Sequence, residues 1–271
     1  MQYNAVFAKG KTHLKCEDYA LAGTIKNVPM IIVCDGCSSS PNTDVGARLL
    51  AHSLINICRG STVDSTIDSQ LSLLDENIEE LILVSALQSA RNLLNPLALS
   101  NSCLDVTCLF SYVFEGKVFI HTIGDGAVYV KWNNGEERIW LHEFESGAPL
   151  YGNYLLDLER KAEYHKTYPG VRKISEGSFE NPNEVITTWP QVVHSLVFPE
   201  EEISLVALMS DGCSTVKNVP TYSAIEAFTS FKNTQGAFVE RRLRKALLEY
   251  NNDHDDDISV AALSLDDLCQ K

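Results

Sequence analysis

The chain has 271 residues, of which 45% are hydrophobic and 21% charged, as in a globular protein long enough to bury a sizeable core. Its net charge of −14, from 36 acidic and 22 basic residues, disfavours a nucleic-acid-binding protein, because such a surface repels phosphates. The sequence shows no signal segment and no apolar stretch of about 18 residues. We therefore predict a cytoplasmic protein that does not cross a membrane.

The first half of the chain alternates between strands and helices. Short apolar runs rich in β-branched residues predict strands, and apolar residues at helical spacing predict helices. Residues 60–70 are rich in Ser, Thr and Asp and predict a surface loop between the first two helices. In chain order the predicted elements are strands at 6–8, 19–24 and 31–34, helices at about 45–59 and 73–94, and strands at 106–114, 118–123, 127–132 and 137–141.

The second half is less regular at its start. Residues 142–183 mix Gly, Pro, Tyr and charged residues without a clear period, and we interpret them as loops and short strands. Strands and helices in separate blocks predict an α+β fold, in which two packed sheets carry helices on their outer faces. The elements predicted after residue 183 are strands at 185–188, 192–197 and 205–210, helices at 222–232 and 235–250, and a last strand at 258–265.

Three of the predicted strands end in an Asp-Gly pair, with the aspartates at Asp35, Asp125 and Asp211. Ordinary turns would explain the pattern, because Gly tolerates positive φ and Asp bonds to nearby backbone. The alternative is that the carboxylates converge from several strands on one point. Like charges converge around a cation, and oxygen ligands favour Mg²⁺ or Mn²⁺.

Further acids lie next to other predicted strands, at Glu17, Asp18 and residues 255–257. Several carboxylates around one focus fit a two-metal hydrolytic site, in which the ions lower the pKa of water and bind a phosphoryl oxygen. The sequence has no spacing of His and Cys residues that would favour zinc instead.

The eight cysteines are scattered along the chain, and we expect them to be reduced thiols in the cytosol. Cys34 and Cys37 have the spacing of a CxxC motif. A structural zinc site would need a second ligand pair, which the sequence lacks. A redox role for the two thiols stays open beside the plainer interpretation, in which small residues flank Asp35 at the end of a strand.

The acidic motifs occur in a specific order: an acidic pair, a strand ending in Asp-Gly, then Gly-Asp-Gly, Ser-Asp-Gly and Asp-Asp-Ile-Ser. In this order and at this spacing, residues 13–260 resemble the type 2C metal-dependent serine/threonine protein phosphatases, and the opening Thr-His resembles a bacterial branch of that family. The resemblance implies a four-layer α-β-β-α sandwich, with two central antiparallel sheets flanked by helix pairs. It also implies that residues 1–271 form a single domain.

The same resemblance implies two Mn²⁺ or Mg²⁺ ions and a hydroxide that bridges them and attacks phosphoserine or phosphothreonine in line. By this resemblance, the catalytic candidates are Asp35, Asp18 and His13. The positions matched to metal binding are Glu17 as a supporting acid, Asp18, Asp35, the carbonyl of Gly36, Asp211, Asp256 and, for the third and weaker metal of some members, Asp125.

The chain departs from the family pattern at four places, one of which is Gly126-Ala127 in place of Ser-Arg after Asp125. His13 stands where the family has a phosphate-binding Arg, and a neutral imidazole donates one hydrogen bond where a guanidinium donates two and carries a charge. Ser38 and Ser39 replace two glycines after Gly36, which stiffens that loop. Thr215 replaces an acid, so the third-metal site lacks a ligand.

We therefore predict a metal-dependent protein phosphatase that acts on a phosphorylated protein, with a partner kinase and with no nucleic-acid or membrane partner. Two other functions stay open. The altered positions are compatible with a catalytically weak or inactive member of the fold that serves as a regulatory or binding module. A two-metal nuclease is disfavoured by the acidic charge of the chain.

Overall fold

The computed structural model describes residues 1–25, 28–58, 78–168, 172–179, 184–187 and 192–265, and these ranges contain twelve β-strands and five α-helices. The strands are β1 (Gln2–Ala8), β2 (Tyr19–Ile25), β3 (Val28–Gly36), β4 (Val106–Phe114), β5 (Lys117–Ile123), β6 (Gly126–Trp132), β7 (Glu137–Phe144), β8 (Arg172–Gly177), β9 (Glu184–Thr187), β10 (Val193–Pro199), β11 (Ile203–Met209) and β12 (Ile258–Ser264). The helices are α1 (Thr43–Cys58), α2 (Ile78–Leu94), α3 (Leu158–Thr167), α4 (Thr221–Thr229) and α5 (Phe238–Glu249).

The strands form two antiparallel sheets. One has seven strands in the order β1-β12-β11-β6-β7-β8-β9, and the other has five in the order β10-β5-β4-β3-β2. Short turns join β4 to β5 and β6 to β7, as the Gly-containing turn sequences predict. Strand β1 pairs with β12 over its whole length, from Gln2 opposite Ser264 to Ala8 opposite Ile258.

A hydrophobic core lies between the two sheets. Because successive side chains of a strand point to opposite faces, every second residue enters this core. Ile31 and Val33 of β3 face Val206 and Leu208 of β11 across it, and all four are fully buried. The sheets are therefore held face to face by aliphatic packing, the arrangement expected of a sandwich.

The outer face of each sheet is covered by helices. Met30 and Ile32 of β3 belong to one buried cluster with Leu50 of α1 and Leu83 of α2. Strand β11 belongs to a corresponding cluster with α4 and α5 on the other side. The molecule is an α+β, four-layer α-β-β-α sandwich, and the predicted fold class is confirmed.

The two ends of the sandwich differ in character. Strands β3, β5 and β11 all finish at one end, next to Asp35, Asp125 and Asp211. The hairpin turns that follow β4 and β6 lie at the opposite end, about 27 Å away along β4. In these turns a Cβ added at Gly116 or Gly135 would meet no atom within 4 Å. We call these the acidic end and the hairpin end.

Residues 142–183 contain an element that the sequence pattern did not indicate. Helix α3 occupies Leu158–Thr167, where we expected loops and short strands. Tyr164 is the buried residue of this helix, so there is no apolar stripe for a periodicity argument to detect. Its start is stabilised instead by Asp157, which accepts a hydrogen bond from the Arg160 N–H at 3.0 Å.

Two sequence predictions fall outside the described residues: the loop at 60–70, and residues 73–77 at the start of the predicted second helix. The rest of that helix is α2. In the described part of the chain, no helix is long and apolar enough to cross a membrane.

Candidate active site

The carboxylates at the acidic end come from both sheets. Asp35 is the second-last residue of β3, and Asp18 immediately precedes β2, where Tyr19 pairs with Cys34. Asp211 begins the turn that follows β11 in the other sheet. Strand pairing therefore brings acids from distant parts of the sequence to one rim of the sandwich.

Asp18 is held in place from the opposite sheet. Its side chain is buried, and Oδ2 accepts a hydrogen bond from the Ser210 hydroxyl at 2.7 Å. The Ser210 oxygen accepts a bond from the Ser259 N–H at 2.9 Å, and the Ser210 N–H donates to the Ser259 carbonyl at 3.1 Å. Ser210 therefore links Asp18 to β12 and to Asp211, its own neighbour in the chain.

Asp35 lies within the electrostatic reach of three other carboxyl groups. Burial, followed by the charges of Asp18, Asp211 and Asp125, raises the pKa of Asp35 well above its ordinary value. Burial also raises the pKa of Asp18 to about 7, against the hydrogen bond from Ser210 that lowers it. These acids therefore disfavour each other's ionised form.

Asp211 and Asp256 extend this group. In the described structure Asp211 Oδ1 is buried and has no hydrogen-bond partner. Burial, followed by the charge of Asp211, raises the pKa of Asp256. The Asp256 N–H donates to the Thr215 hydroxyl at 3.2 Å. Thr215, which stands where the family pattern has an acid, therefore helps to hold the loop that carries Asp256.

His13 lies between two aspartates. Its Nε2 is 3.3 Å from Asp256 Oδ1, and its Nδ1 is 3.0 Å from Asp257 Oδ2. Burial lowers the pKa of His13, but its interaction with Asp257 and the charge of Asp256 outweigh burial and raise the pKa above its ordinary value. The structure thus brings His13 to the acids, with each ring nitrogen within ion-pair distance of a carboxylate oxygen, while Nδ1 makes no hydrogen bond of good geometry.

Asp257 is buried and organises the loop between β1 and β2. Its Oδ1 accepts the N–H of Gly10 at 2.7 Å, and its Oδ2 accepts the N–H of Glu17 at 2.6 Å. An Asn side chain has one acceptor oxygen and could satisfy one of these donors but not both with the same geometry. Asp257 therefore fixes the loop that presents His13 and Glu17.

Glu17 and Gly36 meet at the start of helix α1. Glu17 is buried, and its Oε1 accepts a bond from the Thr43 hydroxyl at 3.3 Å, while Lys15 Nζ lies 3.8 Å away. A Cβ added at Gly36 would lie 2.7 Å from the Thr43 Cβ. The sequence predicts a glycine carbonyl at the site, and the structure shows that the close approach of α1 requires that glycine.

Asp125 lies in the turn between β5 and β6, and the buried guanidinium of Arg172 binds the backbone of this turn. Arg172 Nη2 donates to the carbonyls of Thr122 at 3.1 Å and Gly124 at 2.9 Å. Burial, followed by the charge of Asp211, raises the pKa of Asp125 to about 8, and the charge of Arg172 opposes that rise. Arg172 therefore anchors the turn, and its charge partly offsets the rise in the pKa of Asp125.

The two thiols of the CxxC motif contact different neighbours. Cys34 is fully buried, and its sulfur lies 3.6 Å from that of Cys108 on the adjacent strand. Cys37 is partly exposed, and its sulfur lies 3.1 Å from Ser39 Oγ. The seven cysteines in the described residues are free thiols. The arrangement agrees with the plainer interpretation of two small residues flanking Asp35.

The acids suit a hard divalent cation in their chemistry. Among the described residues, no group of three or more His, Cys, Asp or Glu side chains already has the arrangement of a metal site. The donors are nevertheless carboxylate oxygens that raise each other's pKa, and Asp211 Oδ1 is buried without a partner. A bound Mg²⁺ or Mn²⁺ would remove the repulsion and give that oxygen a ligand role, so the residues fit such an ion.

A family model described as Protein phosphatase 2C matches residues 9–249, most of the chain. The chain belongs to the protein phosphatase 2C family. No curated protein sequence matches it as a relative. The recognition of the family from the order of its acidic motifs is therefore confirmed.

Solved structures of phosphatases with this fold cover nearly the whole chain. The serine/threonine phosphatase Stp1 from Staphylococcus aureus is 16% identical over 98% of this chain and 96% of that chain, with a TM-score of 0.55. The phosphatase PstP/Ppp from Mycobacterium tuberculosis is 15% identical over 98% of both chains, with a TM-score of 0.52. A bacterial serine phosphatase is 16% identical over 98% of both chains, with a TM-score of 0.56. At these identities the likeness establishes a shared fold.

The match to the protein phosphatase 2C model includes Asp18, Asp35, Asp125 and Asp211, and it ends before Asp256. The structure nevertheless places Asp256 within the influence of the same acids, through its interactions with Asp211 and His13. The predicted roles of these residues as metal ligands stay predictions.

Three residues beside the acids were missed in the sequence of this phosphatase 2C chain. Ser210 and Asp257 each adjoin a predicted ligand, so their positions in the Ser-Asp-Gly and Asp-Asp-Ile-Ser motifs were the available signal. Tyr151 lies in the irregular region, and the charges of Asp125 and Asp35 reach its hydroxyl. No spacing or motif marked Tyr151, because the fold alone brings it to the site.

The raised pKa values of these acids predict that the stability of the metal-free phosphatase 2C chain depends on pH. The folded protein retains protons on Asp18, with a pKa of about 7, and on Asp125, with a pKa of about 8, whereas the unfolded chain releases them near 3.8. Their contribution to the free energy of unfolding therefore falls as pH rises from about 4 to about 8. Urea unfolding in chelator should show the Asp125→Asn variant gaining stability over wild type as pH rises. A stability advantage of Asp125→Asn over wild type that shrinks as the pH rises would contradict the raised pKa of Asp125.

Proposed function

We propose that the chain is a metal-dependent phosphatase that removes phosphate from phosphoserine and phosphothreonine in proteins. The observation that carries the proposal is the gathering of Asp18, Asp35 and Asp211 from two sheets of a protein phosphatase 2C chain. Two of the similar solved structures, Stp1 and PstP/Ppp, are named serine/threonine phosphatases, which supports the substrate class.

Two Mn²⁺ or Mg²⁺ ions would be held at the acidic end. When bound, such ions supply positive charge to the phosphoryl group and lower the pKa of water. The proposed ligands are Asp18, Asp35, the Gly36 carbonyl, Asp211 and Asp256, with Glu17 as a supporting acid. Asp125 is a weaker candidate for a third ion because Thr215, and not an acid, stands four residues after Asp211.

The chain's own groups would set the geometry of the reaction. Ser210 fixes one oxygen of Asp18, and Asp257 fixes the backbone that presents His13 and Glu17. His13, with its raised pKa, would offer a positively charged donor to a phosphoryl oxygen, taking part of the role that the family gives to Arg. That role requires His13 to exchange one of its two aspartate contacts for the substrate.

The acidic loop offers a matched pair of variants that tests the proposal. Hydrolysis of an aryl phosphate and of a phosphopeptide should require Mn²⁺ or Mg²⁺ and stop in chelator. We expect Asp256→Asn to lower kcat/KM by about 100-fold or more, because it removes a charged ligand. Asp253→Asn should have no such effect, since Asp253 pairs with Lys11 at the surface. Equal activity in wild type, Asp256→Asn and Asp253→Asn would refute the proposed role of Asp256. A wild-type protein without metal-dependent turnover would refute the proposed phosphatase function.

A second candidate is a catalytically weak or inactive phosphatase fold that serves as a binding or regulatory module. The observation that favours it is that His13 stands where the family has Arg and has its two ring nitrogens 3.3 Å and 3.0 Å from the carboxylate oxygens of Asp256 and Asp257. Calorimetry separates the two candidates, since an enzyme of this class must bind Mn²⁺ and a binding module need not. If wild type is inactive, recovery of turnover in His13→Arg would locate the defect at this position.

The remaining expectations belong to the same proposal. The substrate would be a phosphorylated protein, and a kinase must supply that phosphate. Residues 1–271 would act as one domain, which is supported by the contribution of both sheets to a shared core and to one set of acids. The free thiols support a reducing compartment such as the cytosol.

A further inference from the structure

A buried carboxylate outside the proposed metal ligands connects two parts of the chain. Asp105 is 2% exposed and precedes β4. Its two oxygens receive bonds from Arg160 Nη1 and Nη2, both at 2.9 Å, and further bonds from Ser40 Oγ at 2.8 Å and Asn153 Nδ2 at 3.2 Å. Its carbonyl accepts the Cys37 N–H at 2.9 Å. Asp105 therefore joins the turn after Asp35-Gly36 to the irregular region.

The part of the irregular region that Asp105 holds is residues 148–167, which we call the arm. The arm contains a short 3₁₀ turn (Gly152–Leu155) and helix α3. Asn153 Nδ2 also donates to the Asn101 carbonyl at 3.0 Å, and the Tyr164 hydroxyl donates to the Ala148 carbonyl at 2.7 Å. A bidentate ion pair, in which Asp105 is buried and Arg160 partly exposed, and these bonds fix the arm against the five-stranded sheet.

The arm presents Tyr151 to the acidic end. Tyr151 has extended backbone (φ −72°, ψ 146°) just before the 3₁₀ turn, and its ring packs edge-on against Tyr154 with centroids 5.8 Å apart. Asn153, two residues further on, bonds to Asp105, whose carbonyl accepts the Cys37 N–H, and a Cβ added at Gly152 would lie 3.6 Å from Ile123 Cγ2, two residues before Asp125. A phenol is protonated at neutral pH, so the Tyr151 hydroxyl can donate a hydrogen bond.

We propose that the Tyr151 hydroxyl donates a hydrogen bond to a phosphoryl oxygen of the bound substrate, and that the Asp105–Arg160 pair positions Tyr151 for this contact. The proposal rests on the phosphatase function proposed above. It supplies a donor on the Asp35 and Asp125 side of the site, whereas His13 lies on the Asp256 side. The alternative is a structural tyrosine that packs against Tyr154 and has no part in substrate binding.

Replacement of Tyr151 by Phe removes the hydroxyl and keeps the ring. We expect kcat/KM for a phosphopeptide to fall about 10- to 100-fold and the affinity for inorganic phosphate, measured by calorimetry with Mn²⁺ present, to fall as well. The affinity for Mn²⁺ and the urea midpoint should not change. Tyr154→Phe in the adjacent 3₁₀ turn is the matched control and should behave as wild type. A Tyr151→Phe protein with unchanged kcat/KM and phosphate affinity overturns the proposal.

The positioning role of the ion pair is tested by a double-mutant cycle. Arg160→Lys keeps the charge beside Asp105 but loses the two-pronged geometry, so we expect kcat/KM to fall about threefold or more. In the Tyr151→Phe background the same change should have almost no further effect, because Arg160 acts through the hydroxyl that is already missing. Additive losses would show that the ion pair does not act through Tyr151. Metal-dependent turnover in wild type separates these results from a failure of the proposed function, which would leave wild type inactive and refute both.

Discussion

The Asp35→Asn variant should lose activity and gain stability, which are effects of opposite sign. The carboxylate is proposed to hold both metal ions, so its loss should lower kcat/KM by about 10³-fold or more. In chelator, the same change should raise the urea midpoint, and it should raise the Tm by a few degrees. Asp35 is partly buried, and burial together with the charges of Asp18 and Asp211 raises its pKa, so a neutral amide relieves that cost at pH 7.5.

The experiment pairs metal-dependent turnover with urea unfolding of the metal-free protein. Glu201→Gln, in an exposed turn at the hairpin end, is the control and should change neither quantity. Retained turnover in Asp35→Asn would remove Asp35 from the reaction. A fall in the stability of the metal-free protein would mean that the Asp35 carboxylate stabilises the fold, against the expectation that it destabilises the protein when no cation is bound.

The second large effect is expected from Gly46→Ala in helix α1. In an open helix this change would stabilise the protein by about 1 kcal/mol, because Ala is the better helix former. Here the new Cβ would lie 1.6 Å from the Cys103 carbonyl oxygen, a backbone atom of the turn that leads into Asp105 and β4. The helix or the turn must move, so we expect a net loss of about 3 kcal/mol or more in the free energy of unfolding.

Urea unfolding with a matched glycine decides whether steric overlap is the cause. Gly152→Ala also occurs at a buried glycine, but its Cβ would lie 3.4 Å from the nearest atom, Leu87 Cδ1, which is an ordinary contact. This control should stay within about 1 kcal/mol of wild type. A Gly46→Ala protein as stable as the control would show that α1 and the turn can separate at little cost.

The fold was predictable because each layer leaves a periodic signal in the sequence. Alternating and continuous apolar runs marked the strands, and apolar residues at helical spacing, such as Leu50 and Leu54, marked α1. Helix α3 left no such signal, since Tyr164 is its buried residue and an ion pair through Arg160 holds it in place. Interactions between side chains distant in sequence have no period, and so they escape this kind of argument.

The candidate site likewise has a part that the sequence predicted and a part that it did not. The positions of Asp18, Asp35 and Asp211 follow from motifs at strand ends, whose convergence two antiparallel sheets can be expected to produce. The support around them could not be foreseen: Ser210 crosses from one sheet to the other, and Asp257 accepts two N–H groups from a loop more than two hundred residues earlier. Such contacts depend on the register between β11 and β12, which the sequence does not specify.

The separation of the acidic end from the hairpin end has a practical consequence for work on this protein. Changes in chain length are absorbed best at exposed turns whose backbone holds nothing else in place. The exposed tip at Asn134-Gly135 is of this kind and lies a full strand length from the carboxylates, whereas Gly116 and Asn133 bond to the backbone of Glu200 and Glu202. A fluorophore, an affinity tag or an inserted peptide could be attached there to immobilise or track the molecule, with its proposed phosphate-binding face still turned toward solution.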